Sequence, residues 1–447
     1  MSSRRLTRRK FLSASAGAAI ALPAVIGPAR AEDTDVVIIG AGAAGLGAAR
    51  ELQRLNKRFV IIEARQRSGG RLYTNIALGQ PFDAGAAYIH FAATNPWSQI
   101  AADLGVDPLG GYRLWSGSIA FRNGVALDAE AMARRWESMR RVSDAYDEVE
   151  ERADISLAQA LRAEGQEVRD AGRIQAQMAA GEDPEWVSTA DWQRLEGGQN
   201  RLVPGGYGAL AVKLAEPLGV RHGVLATAID WSGQLVAVTT DKGVIRARKV
   251  IVTVPIGVLK AGHIKLTPAL PLEAARALDG LKMGALSKIG LRFSGERFGF
   301  QPHQFLAEIG EPSRAMTFEA WPFDGELVVA TFGGDYARGL ARQGEAAAVN
   351  HALERFIGIA GGDARKGFKG GVLAGWSEDP FSLGGYAVAL PGRMRAREAL
   401  ARPLGDRLWF AGEATAGNYA MTAGGAYIAG RDAAKQAAAR LSTGSLR

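Results

Sequence analysis

The feature that most restricts the fold of this chain is a glycine-rich turn that separates a buried strand from a helix. Residues 35–39 form a short run of apolar, mostly β-branched side chains, which is typical of a strand covered on both faces. The GxGxxG pattern of residues 40–45 follows, and residues 46–56 and 59–63 then predict a helix and a second buried strand. A unit of this kind predicts a Rossmann-like α/β domain with parallel strands and a right-handed crossover.

The turn itself predicts a site for the pyrophosphate of a dinucleotide. Gly40 permits the tight turn off the strand, Gly42 lets backbone amides approach the phosphates, and Gly45 allows helix and strand to pack closely. Together with Ala43 and Ala44, these residues form the N-terminus of the helix, where the helix dipole favours an anion.

Glu63 supplies an acid at the end of the second predicted strand, 18 residues after the last glycine of the turn. Its carboxylate is placed to accept hydrogen bonds from ribose hydroxyls, and it would repel a 2′-phosphate. The turn and Glu63 fit either FAD or NAD, so they leave the cofactor open.

Residues 1–31 have the pattern of an export signal. They combine a twin-arginine segment at 7–12, an apolar stretch at 13–26 and an A-x-A cleavage pattern at 29–31. We expect export to the periplasm through the twin-arginine (Tat) translocase, with cleavage after Ala31; an uncleaved anchor and a basic tail are the alternatives. The apolar stretch is too short for stable membrane insertion.

Most of the positive net charge of the chain lies in this segment. The chain has a formal net charge of +8, and six of its cations, with no acid, lie within residues 1–31. The mature protein is therefore nearly neutral, and a nucleic-acid partner is not indicated. Because the chain has no cysteine, disulfides, thiolate metal sites and a cysteinyl cofactor link are excluded. Its five histidines are far apart in sequence and predict no metal site.

Four further blocks occur in a fixed order along the chain, at 63–71, 83–90, 250–255 and 410–427. Together with the turn they resemble the flavin-containing amine oxidase superfamily, which includes monoamine and polyamine oxidases, histone-lysine demethylases and L-amino-acid oxidases. The resemblance spans about residues 34–440 and implies that the cofactor is FAD. The position of the covalent flavin link of monoamine oxidases falls on Gly385, so FAD is expected to be bound non-covalently.

The same resemblance implies a Rossmann-like FAD-binding domain of the p-hydroxybenzoate-hydroxylase and amine-oxidase type, with an inserted α+β substrate-binding domain. The FAD-binding domain is expected to comprise residues 32–93, 202–283 and 398–440. The substrate-binding domain is expected to comprise residues 94–201 and 284–397, with a helical part at about 129–200. Dimers are common in the superfamily, so a homodimer is left open.

Roles in cofactor binding follow from the resemblance position by position. Arg65 and Arg71 would lie near the adenosine and pyrophosphate, because guanidinium groups suit phosphate oxygens. Glu413 would accept a hydrogen bond from the ribitol, and Thr422 and Ala423 would offer backbone amides to the flavin at a helix N-terminus. The other positions expected to contact FAD are Ala64, Gly70, Gly85, Ala86, Ala87, Tyr88, Ala226, Trp376 and Gly412.

The chemistry implied by the resemblance is hydride transfer to flavin N5 from the carbon beside an amine nitrogen. Lys288, on a predicted alternating strand at 286–293, matches the family's lysine that holds a water at N5; a solvent-facing lysine is the alternative. Tyr386 falls on an aromatic wall of the substrate site, and Trp376 packs near the flavin ring. His90 matches a histidine beside the substrate channel of polyamine oxidases.

Two features of the substrate site are left open. The second aromatic wall falls on Thr422, which is not aromatic, and the nearby Tyr419 is a candidate to replace it. Three acids could bind a distal ammonium group of the substrate, and nothing in the sequence singles one out: Glu182, Glu319 and Glu378.

The predicted activity is FAD-dependent oxidation of a primary or secondary amine to an imine, which water hydrolyses to a carbonyl product. Reoxidation by O2 would give hydrogen peroxide. The alternatives are a periplasmic amine dehydrogenase that uses a cytochrome or another carrier, an L-amino-acid oxidase, an FAD-dependent desaturase and a flavoprotein without catalytic activity. No motif places the carboxylate-binding arginine that an amino-acid substrate would require, and the identity of the amine is left open.

Overall fold

The computed structural model describes residues 33–112 and 117–441. The predicted export signal at 1–31 lies outside these residues and stays a prediction. Within the described ranges, no helix is both long enough and apolar enough to cross a bilayer.

The described chain alternates between helices and strands, with short 3₁₀ turns between them. The strands are β1 Asp33–Ile39, β2 Phe59–Glu63, β3 Thr74–Asn75, β4 Phe82–Asp83, β5 Tyr88–Ile89, β6 Leu109–Tyr112, β7 Ile119–Arg122, β8 Val125–Ala126, β9 Asn200–Leu202, β10 Arg221–His222, β11 Ala226–Asp230, β12 Val236–Thr240, β13 Gly243–Val252, β14 Lys265–Thr267, β15 Leu281–Met283, β16 Leu286–Phe293, β17 Gln304–Glu308, β18 Met316–Ala320, β19 Leu327–Gly333, β20 Phe368–Ala374, β21 Ala387–Ala389 and β22 Leu408–Phe410. The helices are α1 Ala43–Arg54, α2 Pro96–Asp103, α3 Ala129–Asp147, α4 Leu157–Ala160, α5 Gln166–Ala179, α6 Thr189–Gln193, α7 Tyr207–Ala215, α8 Ile256–Lys260, α9 Leu272–Asp279, α10 Gly334–Arg342, α11 Glu345–Ala360, α12 Ala364–Gly367, α13 Ala396–Leu400 and α14 Ala423–Ala439.

A mixed sheet with the strand order β10-β2-β1-β13-β12-β11-β14 contains the predicted N-terminal unit, and β22 also pairs with β13. β1 and β2 run parallel, from the pair Val36 and Phe59 to the pair Ile39 and Ile62. The helix that connects them, α1, begins at Ala43, three residues earlier than the pattern predicted. The predicted strand–turn–helix–strand unit is therefore confirmed.

β1 is covered on both faces, which explains its continuous apolar run. Val36 and Ile38 pack in a core with α1 and α14, whereas Val37 and Ile39 pack in a core with β11, β12 and β13. Because successive side chains of a strand point to opposite faces, a doubly covered strand needs apolar residues at every position.

A second large sheet has the order β20-β16-β19-β18-β17-β7-β8. Ile289, Leu291 and Phe293 of β16 are fully buried on one face of this sheet, as the alternation predicted. The other face of the same strand carries Lys288. Helices α3 to α6 lie within the range that was expected to be helical.

The packing crosses the two expected domain boundaries, between residues 93 and 94 and between residues 201 and 202. α2 lies within the range 94–201, yet its Trp97 and Ile100 pack in the same core as β1, α1 and α14. Trp97 Nε1 also donates a hydrogen bond to the carbonyl oxygen of Ala423, at 3.2 Å. β9, at the other end of this range, pairs with β5. Both ends of the expected insertion therefore pack with residues assigned to the FAD-binding domain, and the domain ranges stay a prediction.

Candidate active site

A cavity of about 780 Å³ is lined by loops that follow β1, β13 and β22 of the mixed sheet, by strands β16 to β19 of the second sheet, and by helices α3 and α5. The residues singled out from the sequence that line it are Gly42, Ala43, Ala44, Arg71, Gly85, Ala86, Ala87, Tyr88, His90, Lys288, Glu319, Trp376, Tyr386, Gly412, Glu413, Thr422 and Ala423. Those that are not among its lining residues are Gly40, Gly45, Glu63, Ala64, Arg65, Gly70 and Ala226. Ala226 is instead buried in the core shared by β11, β12 and β13.

The N-terminus of α1 opens into the cavity through Gly42, Ala43 and Ala44. No side chain caps this helix, and no acid lies in its first turn. Because the first amides of a helix have no acceptors within the helix, this end suits an anionic ligand such as a pyrophosphate. Gly45 lies behind it, where a Cβ would come within 1.9 Å of the Gly40 oxygen. Helix and strand can therefore approach this closely only with glycine.

Glu63 is buried at the end of β2, and backbone amides hold its carboxylate in place. It accepts hydrogen bonds from Ala41 N at 2.8 Å and from Arg65 N at 2.9 Å, which keep it beside the glycine-rich turn. The Arg65 side chain is engaged within the protein, and its expected place near the adenosine and pyrophosphate stays a prediction. Its guanidinium forms a bidentate ion pair with Asp379, at 2.9 and 2.6 Å, and donates to Ser382. The charge of Arg65 is thus satisfied within the protein rather than presented to the cavity.

Arg71 and Glu413 form an ion pair in the cavity wall, with 3.0 Å between Nη1 and Oε1. Arg71 Nη1 also donates to the Gly385 oxygen at 2.6 Å, and the Glu413 carboxylate accepts from Ala387 N at 3.1 Å. These contacts fix the backbone on both sides of Tyr386. The expected contacts of Arg71 and Glu413 with the cofactor stay predictions.

Close contacts within the protein explain why residue 85 is a glycine. A Cβ at this position would lie 1.7 Å from the Arg71 oxygen and 3.3 Å from the Trp376 ring. Trp376 is buried there, and its Nε1 donates to the Ala84 oxygen at 2.9 Å. The sequence assigned Gly85 to the approach of the flavin, whereas the contact with Arg71 already explains the glycine.

A second helix N-terminus faces the cavity at the start of α14. Thr422 is its N-cap residue and accepts a hydrogen bond from Gly425 N at 2.9 Å through Oγ1. Thr422 and Ala423 both line the cavity. The expectation of a helix N-terminus at these residues is therefore confirmed.

Lys288 reaches into the cavity from β16. Its Nζ donates to the carbonyl oxygens of Asp83, at 3.0 Å, and Gly85, at 2.9 Å. An ammonium group has three N–H donors, so one is left for a ligand. Burial lowers the pKa of Lys288, and the charges of Asp83 and Glu319 oppose that shift. The solvent-facing alternative for Lys288 is therefore wrong.

Tyr386 and His90 line the same cavity with their polar atoms already engaged. The Tyr386 hydroxyl donates to the Ala179 oxygen at 3.0 Å, and burial raises the pKa of this hydroxyl, with a further contribution from Glu413. His90 Nδ1 lies 2.8 Å from Asn200 Oδ1. Burial lowers the pKa of His90, which favours a neutral imidazole.

Of the three acids considered for a distal ammonium group, Glu319 is the one that lines the cavity. Its carboxylate lies 2.8 Å from His303 Nδ1 and accepts from the Tyr88 hydroxyl at 3.3 Å. The other ring nitrogen of His303 accepts from Phe323 N at 2.9 Å, so the hydrogen must be on Nδ1, which donates to Glu319. Burial and the Glu319 charge raise the pKa of Tyr88 well above its usual value, so the phenol stays a donor. Both neighbours therefore stabilise a negative charge on Glu319.

The other two acids considered for the same role lie elsewhere. Glu182 is fully buried and pairs with Arg338 and with Lys282, the latter at 2.7 Å. Glu378 is half exposed, and its nearest cation is Arg342, at 4.0 Å.

The aromatic wall differs from the expectation. Tyr419 is not among the lining residues of the cavity; its ring packs on Phe91, with 4.9 Å between the ring centroids. Phe91, Trp192 and Phe305 line the cavity instead. None of these three residues belongs to a motif. The one signal in the sequence is proximity to a matched block, as for Phe91, which directly follows His90.

The profile of the family described as "Flavin containing amine oxidoreductase" matches residues 43–438. The match covers most of the chain, and the chain belongs to this family. The resemblance identified from the sequence blocks is confirmed, and the protein is an oxidoreductase that acts on CH–NH or CH–NH2 groups.

The relatives of this chain agree with that assignment. It is 28% identical to Polyamine oxidase 2 of Arabidopsis thaliana, over 91% of this chain and 88% of that protein. It is 29% identical to Protein FLOWERING LOCUS D of the same plant over 92% of this chain, and it spans only 56% of that protein's length. A triple mutant of putrescine oxidase superposes with a TM-score of 0.76 at 18% identity, covering 91% of this chain and 99% of that one. This match confirms the predicted fold.

The cofactor is FAD, and the cavity fits it. The uncapped start of α1 suits the pyrophosphate, and the start of α14 presents a second helix dipole. Attachment is non-covalent, since the chain has no cysteine and Gly385 stands at the family's linkage position.

Proposed function

We propose that this protein oxidises a primary or secondary amine by hydride transfer to flavin N5, with O2 as the electron acceptor and hydrogen peroxide as a product. The observation that carries the proposal is Lys288, a buried cation with one N–H donor left for a ligand, in the same cavity wall as the uncapped N-terminus of α1. Bound FAD accepts the hydride equivalent at N5 and passes the electrons on to O2. The overall conversion takes up amine, O2 and water and gives a carbonyl compound, ammonia or a smaller amine, and hydrogen peroxide.

Different residues of the cavity wall bind the charged and the apolar parts of the substrate. Glu319 stabilises a substrate that arrives as an ammonium ion, because its two protein neighbours both donate to it and leave its charge unneutralised. Tyr386 and Phe91 supply apolar surface that excludes water from the reacting carbon. Oxidation requires the free base of the amine, so we expect kcat/KM to rise with pH as the substrate loses its proton. The names of the relatives, polyamine oxidase and putrescine oxidase, support an amine as the substrate.

Peroxide release separates an oxidase from an amine dehydrogenase that uses a periplasmic carrier. The test records O2 uptake, peroxide formation and cytochrome or dye reduction on one FAD-loaded preparation with one amine. An oxidase forms one peroxide per O2 consumed at a rate equal to amine turnover. If the cytochrome or dye is reduced at the rate of amine turnover and O2 uptake is negligible, the protein is an amine dehydrogenase and the proposed oxidase activity is wrong.

We also propose that the protein acts in the periplasm after export by the Tat translocase. The twin-arginine segment and the cleavage pattern at 29–31 support this proposal, and Tat export suits a chain that folds around FAD before it crosses the membrane. Cell fractionation should find the protein in the periplasm with an N-terminus at Glu32. The variant with Arg8→Lys and Arg9→Lys should accumulate in the cytoplasm with bound FAD. Equal export of both forms would contradict the proposal.

A further inference from the structure

Arg135 is a cation in the cavity wall that lacks a counter-charge. It lies on α3 and lines the cavity. Among the residues that the structure describes, none forms an ion pair or a hydrogen bond with its guanidinium. Burial lowers the pKa of Arg135, and no acid lies close enough to oppose that shift. A guanidinium withdrawn from water without a partner is costly, so this position favours an anionic ligand.

The neighbouring arginines of α3 show that this arrangement is particular to Arg135. Arg134 is half exposed and pairs with Glu130 at 2.7 Å, one turn earlier on the helix surface. Arg141 pairs with two acids, Glu148 and Glu164. Arg140, the fourth arginine of the helix, is exposed, has no ion pair among the described residues and does not line the cavity. Arg135 is therefore the one arginine of α3 that lines the cavity, and it does so without an acid.

The packing places Arg135 away from the reacting end of the cavity. Lys288 of β16 pairs in register with Thr331 of β19, which pairs with Thr317 of β18. Thr317 Oγ1 lies 3.8 Å from the sulfur of Met178 on α5, and α5 packs against α3. Lys288, the two threonines, Met178 and Arg135 all line the cavity. Because α5 also packs against β19, Arg135 is separated from Lys288 by at least one strand and one helix along the cavity wall.

The surroundings of Arg135 describe the ligand further. Met139 of the same helix and Ile174 and Met178 of α5 give this part of the wall an apolar surface. The wall thus offers Glu319 towards Lys288, an apolar stretch, and then the guanidinium of Arg135.

We infer that Arg135 binds a carboxylate at the end of the substrate opposite the reacting amine, so the substrate class is an amine that also carries a carboxylate on an apolar chain. This inference rests on the proposed amine oxidation and names its substrate class. Guanidinium groups match carboxylates with paired N–H donors, and the apolar wall fits the chain between the two charged ends. A diamine would instead bring a second ammonium group towards Arg135, and like charges in a partly closed site repel.

Equilibrium binding tests the site without turnover. Pentanoate is titrated by calorimetry into the FAD-loaded wild type, Arg135→Gln and Arg134→Gln, with 1-pentanol as the uncharged probe. Loss of a charge-assisted hydrogen bond should weaken pentanoate binding about 10- to 100-fold in Arg135→Gln and leave 1-pentanol binding unchanged. Arg134→Gln, which removes the same charge from the next residue of the helix, should bind pentanoate as the wild type does. Absence of pentanoate binding to the wild type, or equal binding to Arg135→Gln, overturns the inference.

Kinetics with three five-carbon amines then separate the inference from the function on which it rests. The wild type should prefer 5-aminopentanoate over pentylamine by at least about tenfold in kcat/KM, and Arg135→Gln should reduce this ratio to near one by lowering kcat/KM for 5-aminopentanoate. Preference of the wild type for 1,5-diaminopentane, unaltered by Arg135→Gln, overturns the carboxylate inference and leaves amine oxidation intact. If none of the three amines reduces the flavin while pentanoate binding still depends on Arg135, the anion site stands and the proposed function fails.

Discussion

Replacing Arg397 by Met should lower the free energy of unfolding by about 3–5 kcal/mol, because the change leaves the charge of Asp191 buried without a partner. Arg397 is 1% exposed and Asp191 is 6% exposed. Three hydrogen bonds of 2.8–3.1 Å join the guanidinium to this carboxylate. The guanidinium also donates to the carbonyl oxygens of Ala387, at 2.7 Å, and Ala414, at 3.3 Å.

The same contacts connect this ion pair to the active site. Ala387 follows Tyr386, and Ala414 follows Glu413, so Arg397 holds the backbone next to two cavity-lining residues. Asp191 belongs to α6, within the expected substrate-binding part of the chain. We therefore expect Arg397→Met to weaken FAD retention as well as stability.

The assay is urea unfolding of the holoprotein at a fixed excess of FAD, followed by tryptophan fluorescence and extrapolated linearly. The double variant Asp191→Leu with Arg397→Met removes both charges, so it should be more stable than the sum of the single variants predicts, by at least about 2 kcal/mol. The control is Arg402→Gln, which breaks an exposed pair with Glu273 and should change stability by less than about 1 kcal/mol. A loss below about 1 kcal/mol in Arg397→Met, or strict additivity in the double variant, would refute the reasoning.

Three further predictions concern the cofactor and the substrate. Gly45→Ala should abolish FAD loading, seen as loss of flavin absorbance in purified protein, because its Cβ would lie 1.9 Å from the Gly40 oxygen; yellow protein at wild-type occupancy would contradict this. Lys288→Met should slow stopped-flow reoxidation by O2 while FAD stays bound. In the wild type, reoxidation should slow as the pH rises through the lowered pKa of Lys288, because the lysine loses its charge. If the reoxidation rate of Lys288→Met depends on pH as that of the wild type does, Lys288 has no role in reoxidation. Glu319→Gln should raise KM for amines about tenfold or more, since an interaction with an ion is lost, and the exposed Glu378→Gln should match the wild type; equal KM values would remove Glu319 from substrate binding.

Local patterns were sufficient to predict the first βαβ unit and the strand that carries Lys288. The apolar run of β1, the close packing at Gly45 and the alternation of β16 are each decided within a few residues of sequence, and the structure reproduces them. The alternation places Lys288 only on the face opposite Ile289 and Leu291, which occupy the core face. Its position in the cavity was expected from the resemblance to the family and not from the local pattern.

Other features depend on contacts between distant segments and could not be predicted in this way. Arg65 meets Asp379, which is 314 residues away, and Gly85 is explained by the backbone of Arg71. The substrate wall is assembled from α3, α5 and β18, so the sequence could not choose Glu319 among three acids. Arg135 carries no motif, and only its place in the cavity wall, without an acid beside it, distinguishes it from the other arginines of its helix.

Anaerobic titration of the FAD-loaded protein with primary and secondary amines tests most directly whether this cavity oxidises amines. We predict that a suitable amine bleaches the visible flavin absorbance completely, in proportion to the amine added, and that admission of O2 restores the colour with formation of peroxide. A flavin that dithionite reduces but that no amine bleaches would contradict the account.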